Sequence, residues 1–271
     1  MSLDGKVVFI TGVGRGQGRA HAVRLARDGA KIVGVDICED IASMDYPNAS
    51  EADLAETVKL VESEGGAMIG TKADVRDFAA MKTAVDQGVE RYGRLDIVIA
   101  NAGIVRLGDE PEDFLTVWRD IIDTNLTGVF HTVKASTQHL IDGGEGGSIV
   151  ITSSSAGLKG TGTSKTGGSA YTAAKRGLVG YMQVLANELA KHMIRVNTIH
   201  PTGVATGMVM NEAMQKLFAS GDPALASMQN ALPIEILQPE DIANAVAWLV
   251  SDEAKFITGV ALPLDAGFTI R

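Results

Sequence analysis

Thr11-Gly12-Val13-Gly14-Arg15-Gly16-Gln17-Gly18 decides how this chain is read. A short apolar run, Val7–Thr11, leads into the octapeptide, and an amphipathic pattern from Gln17 to Asp28 leaves it. Glycine lets the backbone approach a bulky anion, and the first amides of the following helix then point at that anion. Alone, a glycine-rich stretch is equally a plain turn. Placed between strand and helix, with Asp36 ending the next apolar run, it reads as a pyrophosphate-binding loop.

The same alternation continues outward. Lys31–Asp36, Met68–Ala73, Ile97–Ala100, Ser148–Thr152, Arg195–His200 and Ala261–Leu264 are brief, Val/Ile-rich runs bounded by turn residues, as buried strands are. Helical patterns span Glu51–Ser63, Phe78–Tyr92, Asp113–Asp142, Ala170–Lys191 and Asp241–Val250. Asp28-Gly29 and Tyr92-Gly93 look like helix C-caps. Strands alternating with helices predict one α/β domain with a doubly wound, mostly parallel sheet of about seven strands and helices on both faces. No linker or repeat divides it. Three segments, 38–50, 157–169 and 202–232, are longer than the connections need and leave strand ends where such sheets bind ligands. In the third, Met208, Met210, Met214, Phe218 and Met228 suit a pliable lid over an apolar substrate, or equally a helix packed on the core.

Bulk composition narrows the classes. The 271 residues carry a formal charge of −9, and an acidic surface without a Lys/Arg run repels a phosphate backbone, so no nucleic acid partner is expected. The apolar run Val7–Ile10 is too short for a signal peptide, and none approaches a membrane span. A cytoplasmic protein without membrane contact is expected. One cysteine, Cys38, fits a reducing compartment. It and five scattered histidines offer no metal site.

Asp36 at the second strand's end can accept both ribose hydroxyls of NAD, whereas a 2′-phosphate would meet like charge. Arg15 argues the other way, since a cation in the loop serves a 2′-phosphate. The carboxylate lies at the ribose itself, so NAD is expected. Tyr171 and Lys175 lie four residues apart on one helix face. A free phenol has a pKa of about 10, and a neighbouring cation with a positive nicotinamide favours phenolate. In isolation the pair reads as a surface contact. Ser153-Ser154-Ser155 just upstream adds hydroxyl donors at a strand end. Asn125 interrupts a long helical pattern, and because asparagine competes for backbone groups, a kink or bound water is expected there.

Gly12-x-x-x-Gly16-x-Gly18 with Asn101-Ala102-Gly103 resembles the short-chain dehydrogenase/reductase family, a single-domain Rossmann fold. The resemblance implies that Asp74 and Val75 hold adenine and that Asn101 and Gly103 line the cofactor cleft. It also places Val204 and Thr206 at the nicotinamide amide and phosphates. Asn125, Ser154, Tyr171 and Lys175 match the family tetrad. Ser154 would bond the substrate oxygen, Tyr171 move its proton, Lys175 bind the nicotinamide ribose, and Asn125 hold a relay water. Ser153 and Ser155 remain alternatives to Ser154. Family members associate through helices near Asn125 and Tyr171 and through the last strand, so a homotetramer is implied, with a dimer second.

The stretch Arg15 to Ala26 with the 38–50 insertion is similar to the mycofactocin-associated, carveol-dehydrogenase-like subgroup. That implies tightly held NAD, re-oxidised in place by an external acceptor, and hydrophobic terpenoid-like alcohols or ketones as substrates. The insertion would fold over adenosine as a lid; the alternative is a solvated surface loop. Rival readings are an NADPH-dependent carbonyl reductase and a non-catalytic NAD sensor. An extended-family epimerase would need a larger C-terminal substrate domain than the residues before Arg271 leave room for.

Overall fold

Val/Ile-rich runs become strands here because both of their faces are covered. Val7–Thr11 (β1) and Ile97–Ala100 (β4) are buried at every position. The computed structural model describes residues 2–161, 165–221 and 228–271. Within it, Lys31–Asp36 (β2), Ala67–Lys72 (β3), Gly147–Thr152 (β5), Ile194–Pro201 (β6) and Ala261–Leu264 (β7) complete one sheet. Its order is β3-β2-β1-β4-β5-β6-β7, and every pairing is parallel.

Helices Gly16–Arg27 (α1), Glu51–Ser63 (α2) and Pro239–Val250 (α9) close one face with Ala22, Leu25, Leu54 and Val246. Phe78–Tyr92 (α3), Gly128–Gly143 (α5) and Thr166–Leu189 (α7) close the other with Met81, Val133 and Leu178. Each of the Val, Leu and Met side chains contributes about 1.5–3 kcal/mol of burial. Local signals start and stop these helices. Ser50 and Asp53 form a capping box on α2, Asp77 caps α3, and Gly93 ends α3 at φ 82°. The strand order reverses between β1 and β4, and the ends of those strands open a cleft. Among the described residues no helix is long and apolar enough to cross a membrane.

Several sequence expectations shift. The helix expected over Asp113–Asp142 is Phe114–Ile122 (α4), a π-helical turn over Asp123–Thr127, and then α5. Asn125 is the cause: its amide donates to Ile121 O at 2.9 Å, taking a carbonyl of the preceding turn. The helix expected from Ala170 starts at Thr166. Segment 157–169 is therefore not one loop, because Ala156–Lys159 forms a short helix (α6) at its start; residues 162–164 lie outside the described residues. Segment 202–232 contains the helix Glu212–Ala219 (α8), and its residues 222–227 lie outside the description. Segment 38–50 is not a solvated loop, since Ile41, Met44, Tyr46 and Ala49 are all buried.

His21 on α1 is fully buried, and neither ring nitrogen has a partner among the described residues. Burial lowers its pKa from 6.5 to about 4. A base with a depressed folded-state pKa stabilises fully above its unfolded value, and that stability drains as pH falls from 6.5 toward 4. The whole window corresponds to about 3 kcal/mol. Thermal unfolding at pH 7 and pH 5 is expected to show a lower midpoint at pH 5 and a smaller pH difference in His21→Leu; equal differences in both proteins would contradict this.

Candidate active site

At the adenosine end the glycine loop is bent by need. Gly12 has φ +73°, and a side chain at Gly18 would lie 1.9 Å from the Gly12 carbonyl oxygen. The Asp36 carboxylate is held by backbone, accepting from Gly14 N at 2.8 Å and from Cys38 N at 3.2 Å. It borders the cleft with lone pairs to spare. Arg15 also borders the cleft and is tethered there. Its guanidinium donates to Pro47 O and packs against Gly207, tying the loop to two of the three long segments.

The other expected cofactor residues also border the cleft: Gly16, Gln17, Asp74, Val75, Asn101 and Gly103, with Val204 and Thr206 opposite. Two make further contacts. The Asp74 carboxylate also accepts from Arg76, which pairs with Asp120 on α4. Asn101 turns its amide back on Thr11 O at 3.1 Å, joining β4 to β1. Thr206 lies against Gly16. Gln17 Oε1 and Thr124 Oγ1 are buried in the lining without partners among the described residues. Orphaned polar atoms beside a glycine loop fit a polar, phosphate-bearing ligand such as a dinucleotide.

At the far end α7 carries Tyr171 and Lys175 to the tip of β5. Lys175 is 3% exposed, donates to Thr152 O at 2.7 Å, and stands 5.6 Å from the Tyr171 ring centroid. The three serines separate by partner. Ser153 Oγ donates to Lys175 O, whereas the Ser154 hydroxyl bonds the Tyr171 phenol. Ser155 is buried, and its amide donates to Pro201 O. Asn125 donates to Ile104 O at 2.8 Å and to Ile121 O, and accepts from Ile104 N at 3.0 Å, so both amide hydrogens are used. A side chain at Gly103 would reach Asn125 Oδ1 at 2.6 Å and Lys175 Nζ at 3.4 Å, so glycine lets this wall touch both.

The lowering of the phenol is expected from Lys175 together with a positive nicotinamide; the protein's own surroundings act the other way. Burial raises the Tyr171 pKa, with the Ser154 bond pulling down against it, and burial lowers Lys175 to about 7. Helix spacing shows who neighbours whom; it does not show that both groups lose their water.

The cleft encloses about 350 Å³, and its substrate side is apolar, with Leu107, Met208, Met214, Phe218, Met228 and Phe268. Met210, grouped with these in sequence, is 61% exposed and lies outside the lining. Sequence reading missed Tyr46, whose hydroxyl accepts from Val105 N at 3.1 Å, and Phe268 from the C-terminal turn. An aromatic beside the apolar Ile41 and Met44 of the insertion was the signal for the first. Nothing local marks the second.

A doubly wound sheet with this loop, acid and Ser–Tyr–Lys cluster defines a dinucleotide-dependent oxidoreductase. Residues 6–217 match the family model described as short chain dehydrogenase, and the chain belongs to that family. An uncharacterised oxidoreductase of Mycobacterium tuberculosis is 55% identical over 98% of this chain and 97% of its own length. The (-)-trans-carveol dehydrogenase of Rhodococcus erythropolis is 45% identical over 99% of each. The crystal structure of carveol dehydrogenase from Mycobacterium avium in complex with NAD matches with a TM-score of 0.91 and 47% identity, covering 99% of both chains.

Proposed function

We propose that this protein is an NAD-dependent alcohol dehydrogenase that interconverts a hydrophobic, carveol- or terpenoid-like secondary alcohol and its ketone. The observation that carries the reading is one cleft with Asp36 at one end and the Ser154–Tyr171–Lys175 cluster at the other. Asp36 would accept the ribose hydroxyls and repel a 2′-phosphate, and it lies at the ribose itself, whereas Arg15 has one donor committed to Pro47 O. This argues against the NADPH-dependent reductase reading. The Met/Phe wall suits an apolar substrate, and similarity to two carveol dehydrogenases supports that class.

Bound NAD would supply the hydride acceptor and a positive ring that favours phenolate. Ser154 holds the substrate oxygen by donating a hydrogen bond, and Tyr171 takes the hydroxyl proton during oxidation, returning it in reduction. Lys175 binds the nicotinamide ribose and keeps positive charge beside the phenol. Asn125 holds the Gly103-Ile104 wall in place, with one Oδ1 lone pair left for a relay water. A protein that merely senses NAD would have no use for a phenol bonded by a serine.

The 38–50 segment is assigned as a strap that slows cofactor release. Ala49 lies against Gly14 and Asp36, while Ile41 and Met44 pack with Ile104, Val117, Ile121 and Ala170. A cofactor held this way would need an external electron acceptor to take the hydride equivalent from NADH and return it to NAD. The buried, free thiol of Cys38 suits the reducing cytoplasm, where we place the protein.

Denaturing the purified protein is expected to release NAD rather than NADP, and hydrophobic secondary alcohols are expected to reduce an artificial electron acceptor. Released NADP, or full exchange of bound cofactor against labelled NAD on simple dialysis, would contradict the cofactor assignment or the strap respectively. We also propose a homotetramer, because Phe130, Val184 and Trp118 on α5, α7 and α4, and Phe256 and Ile270 beside β7, expose apolar surface. Sedimentation is expected to give four times the chain mass; a monomer would overturn it.

A further inference from the structure

His200 on β6 is fully buried, and its ring bridges Ser154 and Thr198. Nδ1 lies 2.8 Å from the Ser154 carbonyl oxygen, and Nε2 lies 2.8 Å from Thr198 Oγ1. A carbonyl only accepts, so Nδ1 carries hydrogen and donates to Ser154. In the neutral ring Nε2 then accepts the Thr198 hydroxyl proton. One tautomer and one ring orientation satisfy both bonds. Burial lowers the His200 pKa first, and the charges of Lys175 and Arg176 lower it further, against the Ser154 carbonyl bond and Asp265. The ring is therefore neutral at pH 7, and the order of donor and acceptor is set.

The peptide that carries Ser154 hangs from β6 by three successive ties. Ser153 N donates to Ile199 O at 2.8 Å, and Ser155 N donates to Pro201 O at 2.9 Å. Those two are backbone bonds that many side chains would permit. The middle tie exists only because position 200 is histidine. Ser154 O also accepts from Gly157 N at 2.9 Å, and Ser154 Oγ accepts from Ala156 N at 3.2 Å, leaving its one proton for the Tyr171 phenol or, once substrate is bound, for the reacting oxygen beside it. The angle of the Ser154 peptide thus sets where that proton points.

We propose that His200 is a positioning residue: by gripping the Ser154 carbonyl it aims the Ser154 hydroxyl at the reacting oxygen. This rests on the role given to Ser154 above. A small misplacement of a reacting group costs up to about a hundredfold in rate, so losing one of three ties is expected to cost about tenfold.

The test is a double-mutant cycle on the NAD-loaded enzyme, reading alcohol turnover, KM and unfolding midpoint for the parent, Ser154→Ala, His200→Leu and the double variant. His200→Leu is expected to lower kcat about tenfold with KM little changed. It is expected to cost nothing further in the Ser154→Ala background. His200→Asn, whose amide nitrogen takes the place of Nδ1, is expected to recover most of the loss. If His200→Leu does not fold, the isosteric Thr198→Val frees the ring and is expected to show a smaller loss with the same non-additivity. Unchanged kcat in a folded His200→Leu protein, or an equal loss with and without Ser154, would overturn the proposal. Parental turnover by Ser154→Ala alone would instead overturn the Ser154 role on which it rests.

Discussion

The arrangement of the site depends on one buried ammonium. Lys175 has lost nearly all contact with water and keeps a single carbonyl, Thr152 O, at 2.7 Å. Burying such a charge costs several kcal/mol unless partners compensate, which is why its pKa falls to about 7. An amine this poorly solvated gains strongly from any polar ligand that reaches it. The same burial raises the Tyr171 phenol. Both halves of the pair are thus poised out of balance in the protein alone, and in the proposed function ligand oxygens with a positive ring would restore it.

The fold explains how that imbalance is held. Thr152 ends β5 and Tyr171 rides α7, while the Gly103 wall leaves β4; these elements meet where the strand order reverses. The π-helical turn brings Asn125 inward to bond Ile104, which keeps the wall within reach of Lys175. On the opposite side the 38–50 segment runs from the acid end of the cleft to α4 and α7, joined by Arg15, Tyr46 and the Ser43–Asp120 bond. A segment that leaves the adenosine side therefore packs against the helix carrying Tyr171. A strap of the kind proposed would couple cofactor retention to the shape of the substrate site.

Much of this was legible in the residues, for a physical reason. The glycine loop, the strand runs and the Tyr171–Lys175 spacing are local patterns, and the sheet, its strand count and the cleft followed from them. Asn125 in a helical run foretold an interruption, though not its π-helical form. What was not legible depends on distant contacts. Arg15 and Asp74 border the cleft as expected of cofactor residues, but their ties to Pro47 and Arg76 carry no local signal. Phe268 reaches the cleft only because β7 delivers the last turn there. The Tyr171–Lys175 spacing also carries no information about lost water, which raises the phenol before any cofactor charge acts on it.

The central claim is that the Tyr171 phenol carries the proton in a cleft that binds NAD. The most direct measurement is alcohol oxidation by Tyr171→Phe, with bound NAD and unfolding midpoint followed in parallel. The account predicts a loss of about a hundredfold or more in turnover, with cofactor binding and stability close to the parent. A folded, NAD-bound variant that turns over at the parental rate would contradict it.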